Sequence, residues 1–190
     1  MFFKSDPLPE TADFIVLISF AATSKRLTNG SRLTLELAKK MADRYPNAPV
    51  IGGTYFDNPE PDIELQEKNL ILRERFICIG PVTSTTDEYD GIELTLQEKK
   101  FEVGNIIVID EAYHSIRTRI VWRHYLSDSD INLSFQLVPG YLAADLENPM
   151  PLQRSSPKWL LANLAAAPFY KWWPGVQWFA TRNFNQAFKK

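Results

Sequence analysis

Five short apolar runs constrain the fold more than any other feature of the chain: DFIVLISF (13–20), APVIGGTYF (48–56), FICIGPV (76–82), NIIVIDEA (105–112) and INLSFQLVPG (131–140). Each is too short for a typical helix and carries β-branched residues, the pattern of a strand buried on both faces. The segments between them have helical character. In SRLTLELAKKMADRY (31–45), Leu33, Leu37 and Met41 recur four residues apart with Ala38 and Ala42 alongside, which predicts one apolar stripe. Segments 63–76, 85–101 and 113–126 are read as three further helices. Strands alternating with helices predict a mostly parallel sheet covered on both faces and joined by right-handed crossovers. The expected class is α/β with a Rossmann-like layout.

The alternation stops near Pro149, so residues 1–148 are expected to form the α/β domain and 149–190 an aromatic-rich helical extension packed on it. Four of the five tryptophans, Trp159, Trp172, Trp173 and Trp178, lie in this extension. SPKWLLANLAAA (156–167) predicts a helix ended by Pro168, with Ser155 or Ser156 as its cap. Trp172 and Trp173 beside Lys171 suit a boundary with one wet side, such as a membrane surface or a dimer contact. The favoured alternative is that the tail folds back over the sheet, because large aromatics in soluble domains are usually buried.

A length of 190 residues fits one compact core, and a formal charge of −2 gives no electrostatic reason to expect nucleic acid. Cys78 is the only cysteine, so no internal disulfide can form; inside FICIGPV it reads as a buried small hydrophobe, and a reducing compartment fits. MFFKSDPLPETAD places prolines and acids where a signal peptide needs an apolar stretch, and no later run has the length of a membrane span. A cytoplasmic location is expected.

In an open parallel sheet, ligands bind outside the carboxyl ends of the strands, where loops meet helix N-termini. Four loops are therefore informative: AATSKRLTNGSR (21–32), GGTYFDN (52–58), GPVTSTTDE (80–88) and DEAYHSIR (110–117). In the third, Thr83, Ser84, Thr85 and Thr86 could hold a phosphate or carboxylate, although Thr85 and Glu88 also have capping-box spacing. Gly52 and Gly53 permit close backbone approach and serve an ordinary tight turn equally well. Asp57 follows the second strand, but no G-x-G-x-x-G follows the first, so NAD is not expected.

His114 opens the fourth helix and Arg117 shares its face, so the two can address one ligand, the imidazole as acid or base and the guanidinium as an oxyanion fork. The competing reading is that His114 caps or packs locally while Arg117 pairs with an acid such as Asp87. His124, Arg119 and Arg123 are expected on the surface. No metal site is expected: EAYH (111–114) has no second copy, and two histidines and one cysteine leave little for zinc. Neither a G-x-S-x-G elbow nor a P-loop occurs.

Taken in order, IVLISFAA, Arg32, IGGT, Glu64, TSTTDE, AYHSIR and the final LVPG make the segment from Asp13 to Gly140 resemble the DUF218 family, the YdcF/SanA/ElyC-like proteins of bacteria. The resemblance implies Arg32, Gly52, Gly53, Glu64, Thr85, Thr86, His114 and Arg117 as ligand-pocket positions and carries over no reaction; His114 and Arg117 are the candidates for catalysis by their own chemistry. The chain departs from the family at the end of its first strand, where ISFAA replaces a glycine-rich turn. Many members are membrane-anchored and linked to the cell envelope, and no anchor is expected here.

Three functional expectations follow. The leading one is a small-molecule-binding protein whose pocket takes an anionic or nucleotide-like ligand; S-adenosylmethionine is a compatible example. A second is a peripheral envelope or interaction protein that works through its aromatic tail. A third is a hydrolase or transferase acting at a phosphoryl or glycosyl centre, with His114 as acid or base and Arg117 and Arg32 holding charge.

Overall fold

The computed structural model describes residues 3–99, 103–127 and 129–172. Five strands, β1 (Phe14–Leu17), β2 (Val50–Tyr55), β3 (Phe76–Val82), β4 (Asn105–Glu111) and β5 (Asn132–Val138), alternate with helices α1 (Asn29–Arg44), α2 (Pro61–Leu72), α3 (Thr85–Glu98) and α4 (Ser115–Tyr125). A single turn, α5 (Gly140–Ala143), and a long helix, α6 (Ser156–Trp172), follow. All strand pairings are parallel and the order is β3-β2-β1-β4-β5, the Rossmann-like arrangement that the sequence implies.

The two-residue period of a strand sends alternate side chains of β1 to opposite faces. Phe14, Val16, Ile18 and Phe20 join Ile92, Val121, Trp122 and Phe135 on one side, while Ile15 and Leu17 meet Leu35, Ala38, Ala42 and Leu72 on the other. Thus α1 and α2 cover one face and α3 and α4 cover its reverse. The buried side of α1 is centred on Thr34, Leu35, Ala38 and Ala42. Leu33, Leu37 and Met41, expected to form the stripe, are only half-buried. The small alanines bring the helix close to the sheet, and the larger side chains fill its flanks.

Three further expectations are corrected. Cys78 is exposed, because β3 is an edge strand and its outer positions reach past the helical cover. Arg119 is buried: its guanidinium donates to Asp6 Oδ2 at 2.7 Å and Lys4 O at 3.1 Å and lies over the Phe135 ring. The N-terminal arm makes this possible by pairing with the free edge of β5, where Asp6 N–H donates to Phe135 O at 2.8 Å and Phe135 N–H donates to Asp6 Oδ2 at 3.0 Å. Such cover protects an otherwise open sheet edge. His124 and Arg123 are exposed, as expected.

The third correction concerns Pro168, which lies inside α6 and does not end it. Proline removes the hydrogen bond to the Leu164 carbonyl. Leu164 is exposed, so water can serve that carbonyl. The helix thereby carries Tyr170 back onto the sheet beside Trp159; both are buried in the core, and α6 packs along α4. Within the described residues, α6 carries Trp159 and Tyr170 onto the domain; the expectation for the aromatic tail rests on the Trp172 side chain and residues 173–190, which the structure does not describe. Trp173 and Trp178 lie outside the described residues. No helix among the described residues is long and apolar enough to cross a membrane.

Candidate functional site

β1 pairs with β2 on one side and β4 on the other, and the connections beyond these two neighbours run over opposite faces of the sheet. The carboxyl end of β1 is consequently where covering helices diverge, the usual place for a ligand crevice. Buried polar side chains concentrate there in two clusters.

The first belongs to α2. Glu64 and Lys68, one helical turn apart, are 0% and 2% exposed. The Lys68 ammonium donates to Glu64 Oε1 at 2.7 Å, Gly53 O at 2.6 Å and Ser19 Oγ at 3.2 Å, using all three of its protons. Glu64 Oε2 accepts from Tyr55 N–H at 2.8 Å and Asn58 Nδ2 at 2.7 Å. Asn58 Oδ1 in turn accepts from Ala22 N–H at 2.7 Å. Glu64 thus ties α2 to the ends of β1 and β2, and nothing in the pair is left over for a ligand.

The second cluster spans α3, β4 and α4. Glu88 Oε1 accepts from Ser19 N–H at 2.9 Å, and burial raises its carboxyl to about 8 despite the opposing effects of that hydrogen bond and of Lys68. At neutrality Glu88 therefore retains its proton. Beside it, Asp110 is fully buried at the end of β4; its Oδ1 accepts from Glu111 N–H at 2.7 Å and lies 3.0 Å from His114 Nδ1. Thr118 Oγ1 is 3.1 Å from the same ring nitrogen, and Thr85 Oγ1 is 3.3 Å from Nε2.

Burial lowers the His114 pKa, and the Arg117 charge adds to that effect while Asp110 opposes it, so the imidazole is neutral near pH 7. A carboxylate can only accept, which assigns the single ring proton to Nδ1 and leaves Nε2 as an acceptor facing the Thr85 hydroxyl. Phe20 meets the ring edge to face and Trp159 lies parallel to it at 5.9 Å. The result is an acid–imidazole–hydroxyl series in an apolar frame.

Glu111 supports this frame. Its Oε1 accepts from Tyr113 N–H at 2.7 Å, and its Oε2 accepts from His114 N–H at 3.0 Å and Trp159 Nε1 at 2.7 Å. Burial raises its carboxyl to about 7 in spite of these three donors. Gly140 is required beside it, because a Cβ there would collide with Glu111 Oε1 and the Tyr113 ring. Arg117 is held between Trp159 and Tyr170, its guanidinium carbon 5.4 Å and 5.5 Å from the two ring centres. Its Nη1 donates to Tyr170 Oη at 3.5 Å, while no carboxylate pairs with it among the described residues. Two buried atoms in this cluster have no partner among the described residues: Asp110 Oδ2 and Arg117 Nε.

The expected capping box is replaced by a different arrangement. Ser84, not Thr85, caps α3 by accepting from Asp87 N–H at 3.1 Å, and Asp87 Oδ2 accepts from Thr83 N–H at 2.7 Å. This frees Thr85 to face His114 and Glu88 to bind Ser19. His114 occupies the N-cap position of α4 but makes no side-chain cap. Moreover, the backbone amides near the strand ends that an anion would use are occupied by the protein's own acids: Ser19 by Glu88, Tyr55 by Glu64, Thr83 by Asp87 and His114 by Glu111. The place left for a ligand anion is the Arg117 guanidinium.

Of the positions implied by sequence, Thr85, His114 and Arg117 come together at the β4 end. Glu64 belongs to the other cluster, bound to Lys68. Arg32 does not join them; it is exposed on α1 and pairs with Glu36 at 2.7 Å, the i,i+4 geometry of a solvated helix face. Gly52 and Gly53 are packing positions, since a Cβ would strike Leu17 O at the first and Val82 Cγ1 at the second. Thr86 follows Thr85 in the first turn of α3, on its half-buried side.

Sequence reading missed Lys68, Glu88, Asp110, Glu111 and Trp159 as site residues. The available signals were the Glu64/Lys68 spacing and the adjacent acids that close β4, an uncommon place for two carboxylates unless they are partnered. Among the described residues, no group of three or more His, Cys, Asp or Glu side chains could hold a metal ion. No family model, curated protein or solved structure matches the chain.

Proposed function

We propose that the protein binds a small anionic or nucleotide-like molecule at the β1–β4 edge, in the manner implied by its resemblance to the DUF218 family. Arg117 holds the anionic group and His114 exchanges a proton with the ligand. The observation that carries this reading is the juxtaposition of a guanidinium lacking an acidic partner among the described residues with an Asp110-oriented imidazole. A guanidinium between two aromatic faces keeps its fork geometry and much of its charge available to an oxyanion. The orphan Asp110 Oδ2 favours a ligand that also offers a hydroxyl or amine donor, because a buried acceptor without a partner is destabilising.

The Thr85 Oγ1···His114 Nε2 contact favours a second reading, acid–base chemistry at a phosphoryl or glycosyl centre. In it a substrate hydroxyl takes the place of Thr85 at Nε2 and loses its proton to His114. A thermal-shift screen against nucleotides, S-adenosylmethionine, sugar phosphates and lipid phosphate head groups tests both readings, since a ligand that binds only the native state raises its melting temperature. The expected result is a shift with wild type that is lost in Arg117→Ala and reduced in His114→Ala. A ligand that stabilises wild type and Arg117→Ala equally would remove the assignment. Turnover of that ligand by wild type but not His114→Ala would select the second reading.

A further inference from the structure

α6 has two unlike faces. Trp159, Asn163 and Tyr170 are buried against the domain. Opposite them, Leu161, Leu164, Ala165, Pro168 and Phe169 recur at helical spacing and are exposed; Leu161 is 65% and Phe169 54% accessible. Polar residues do not interrupt this outer stripe. Lys158 and Lys171 flank it near its two ends, and both are exposed. At the start of the helix the stripe continues toward α5, whose Tyr141 is 66% exposed and whose Tyr141 carbonyl accepts from Ser156 Oγ at 3.2 Å.

The charge of the chain divides at the same place. All 23 acidic residues precede Asn148, whereas residues 148–190 carry Arg154, Lys158, Lys171, Arg182, Lys189 and Lys190 with no acid among them. The same segment holds nine of the 24 aromatic residues, including four tryptophans. An apolar helical stripe bordered by lysines, in an acid-free and aromatic-rich segment, has the composition of a surface that lies in the interface of an anionic bilayer. The acidic remainder of the molecule, repelled by such a surface, would orient the protein with α6 toward the lipid.

We infer that the outer face of α6, with Lys158 and Lys171 flanking it, docks the protein on anionic lipid bilayers. Docking is peripheral: the apolar stripe enters the head-group region while Lys158 and Lys171 meet the lipid charge. This surface is separate from the Arg117 site, which α6 addresses through its opposite face.

The test is co-sedimentation of the full chain with phosphatidylcholine vesicles and with vesicles containing phosphatidylserine. Binding is expected only to the anionic vesicles and should weaken as salt rises. Leu161→Ser/Leu164→Ser/Phe169→Ser should lower partitioning by more than about tenfold, with unchanged circular dichroism and melting temperature. Lys158→Glu/Lys171→Glu, which leaves the apolar stripe intact, should lower it by at least about fivefold per residue. Equal partitioning of the triple variant, or no binding of wild type to anionic vesicles, would overturn the inference. So would concentration-dependent self-association that the triple variant abolishes without any vesicle binding, which would assign the face to a second copy of the chain.

Discussion

The two buried polar clusters at the carboxyl edge share a strand end, yet they differ in how completely their atoms are used. Around Glu64 and Lys68, three ammonium protons meet three acceptors and both carboxylate oxygens are occupied. Around His114, Asp110 Oδ2 and Arg117 Nε remain unpartnered among the described residues, and Glu88 retains a proton at neutrality. Buried charges are tolerated when every lone pair and proton is matched. A matched cluster is structural by that standard, whereas an incompletely matched one is where a ligand can complete the hydrogen bonding. The comparison separates Glu64 from His114, two residues that the family resemblance implies together.

The largest effect expected from this contrast is at Lys68. Lys68→Met leaves the Glu64 carboxylate buried without its partner and should reduce unfolding free energy by about 3–5 kcal/mol in urea titrations. Combining it with Glu64→Gln should restore most of that loss, because the uncompensated charge is then gone. A loss below about 1 kcal/mol in the single variant would break the comparison, since surface ion pairs behave that way.

Next in size is the pH dependence set by Glu88. Its folded pKa near 8 exceeds its ordinary value of 4.5, so the native state keeps a proton that the unfolded chain releases between those values. Native stability contributed by this group is therefore fully present below about pH 4.5 and lost as pH rises toward 8. Glu88→Gln keeps an acceptor for Ser19 N–H and removes the titration. The variant should be more stable than wild type at pH 8, by an amount on the order of a few kcal/mol, and close to it at pH 5. Parallel curves of melting temperature against pH for the two proteins would show that Glu88 is ionised in the fold.

The smallest effect on stability is expected at Asp110. Asp110→Asn should change unfolding free energy by no more than about 1 kcal/mol, because one oxygen of the carboxylate is already unpartnered. It should nevertheless lower the His114 pKa further, because Asp110 is the group that holds it up, and NMR titration of the imidazole protons would read that change. A loss of several kcal/mol would place Asp110 in the same structural class as Glu64.

The strands were the most legible part of the chain. FICIGPV matches β3 from end to end, and the other four runs overshoot their strands by only a few residues, because burial on both faces leaves a continuous apolar record. Helix positions were legible as well, but their buried faces were less so: in α1 the small residues Ala38 and Ala42 set the distance to the sheet, and Leu33 was left at the margin. The sequence predicts a stop at Pro168 because local pattern alone cannot show that Leu164, whose carbonyl loses its donor, lies on the exposed side of the helix.

At the site, His114, Arg117 and Thr85 were legible because they follow strand ends in an alternating chain, and strand ends converge in a parallel sheet. What the sequence by itself determined was this periodic order, and with it the α/β class and the edge at which polar residues gather. Only the tertiary structure decided which of them are satisfied. Asp110 stands beside His114, Glu88 reaches across to Ser19, and Trp159 returns from 48 positions away along the chain to meet Glu111. The physical reason is range: periodicity follows from backbone geometry within a few residues, whereas hydrogen-bond matching and desolvation depend on atoms that packing alone brings together.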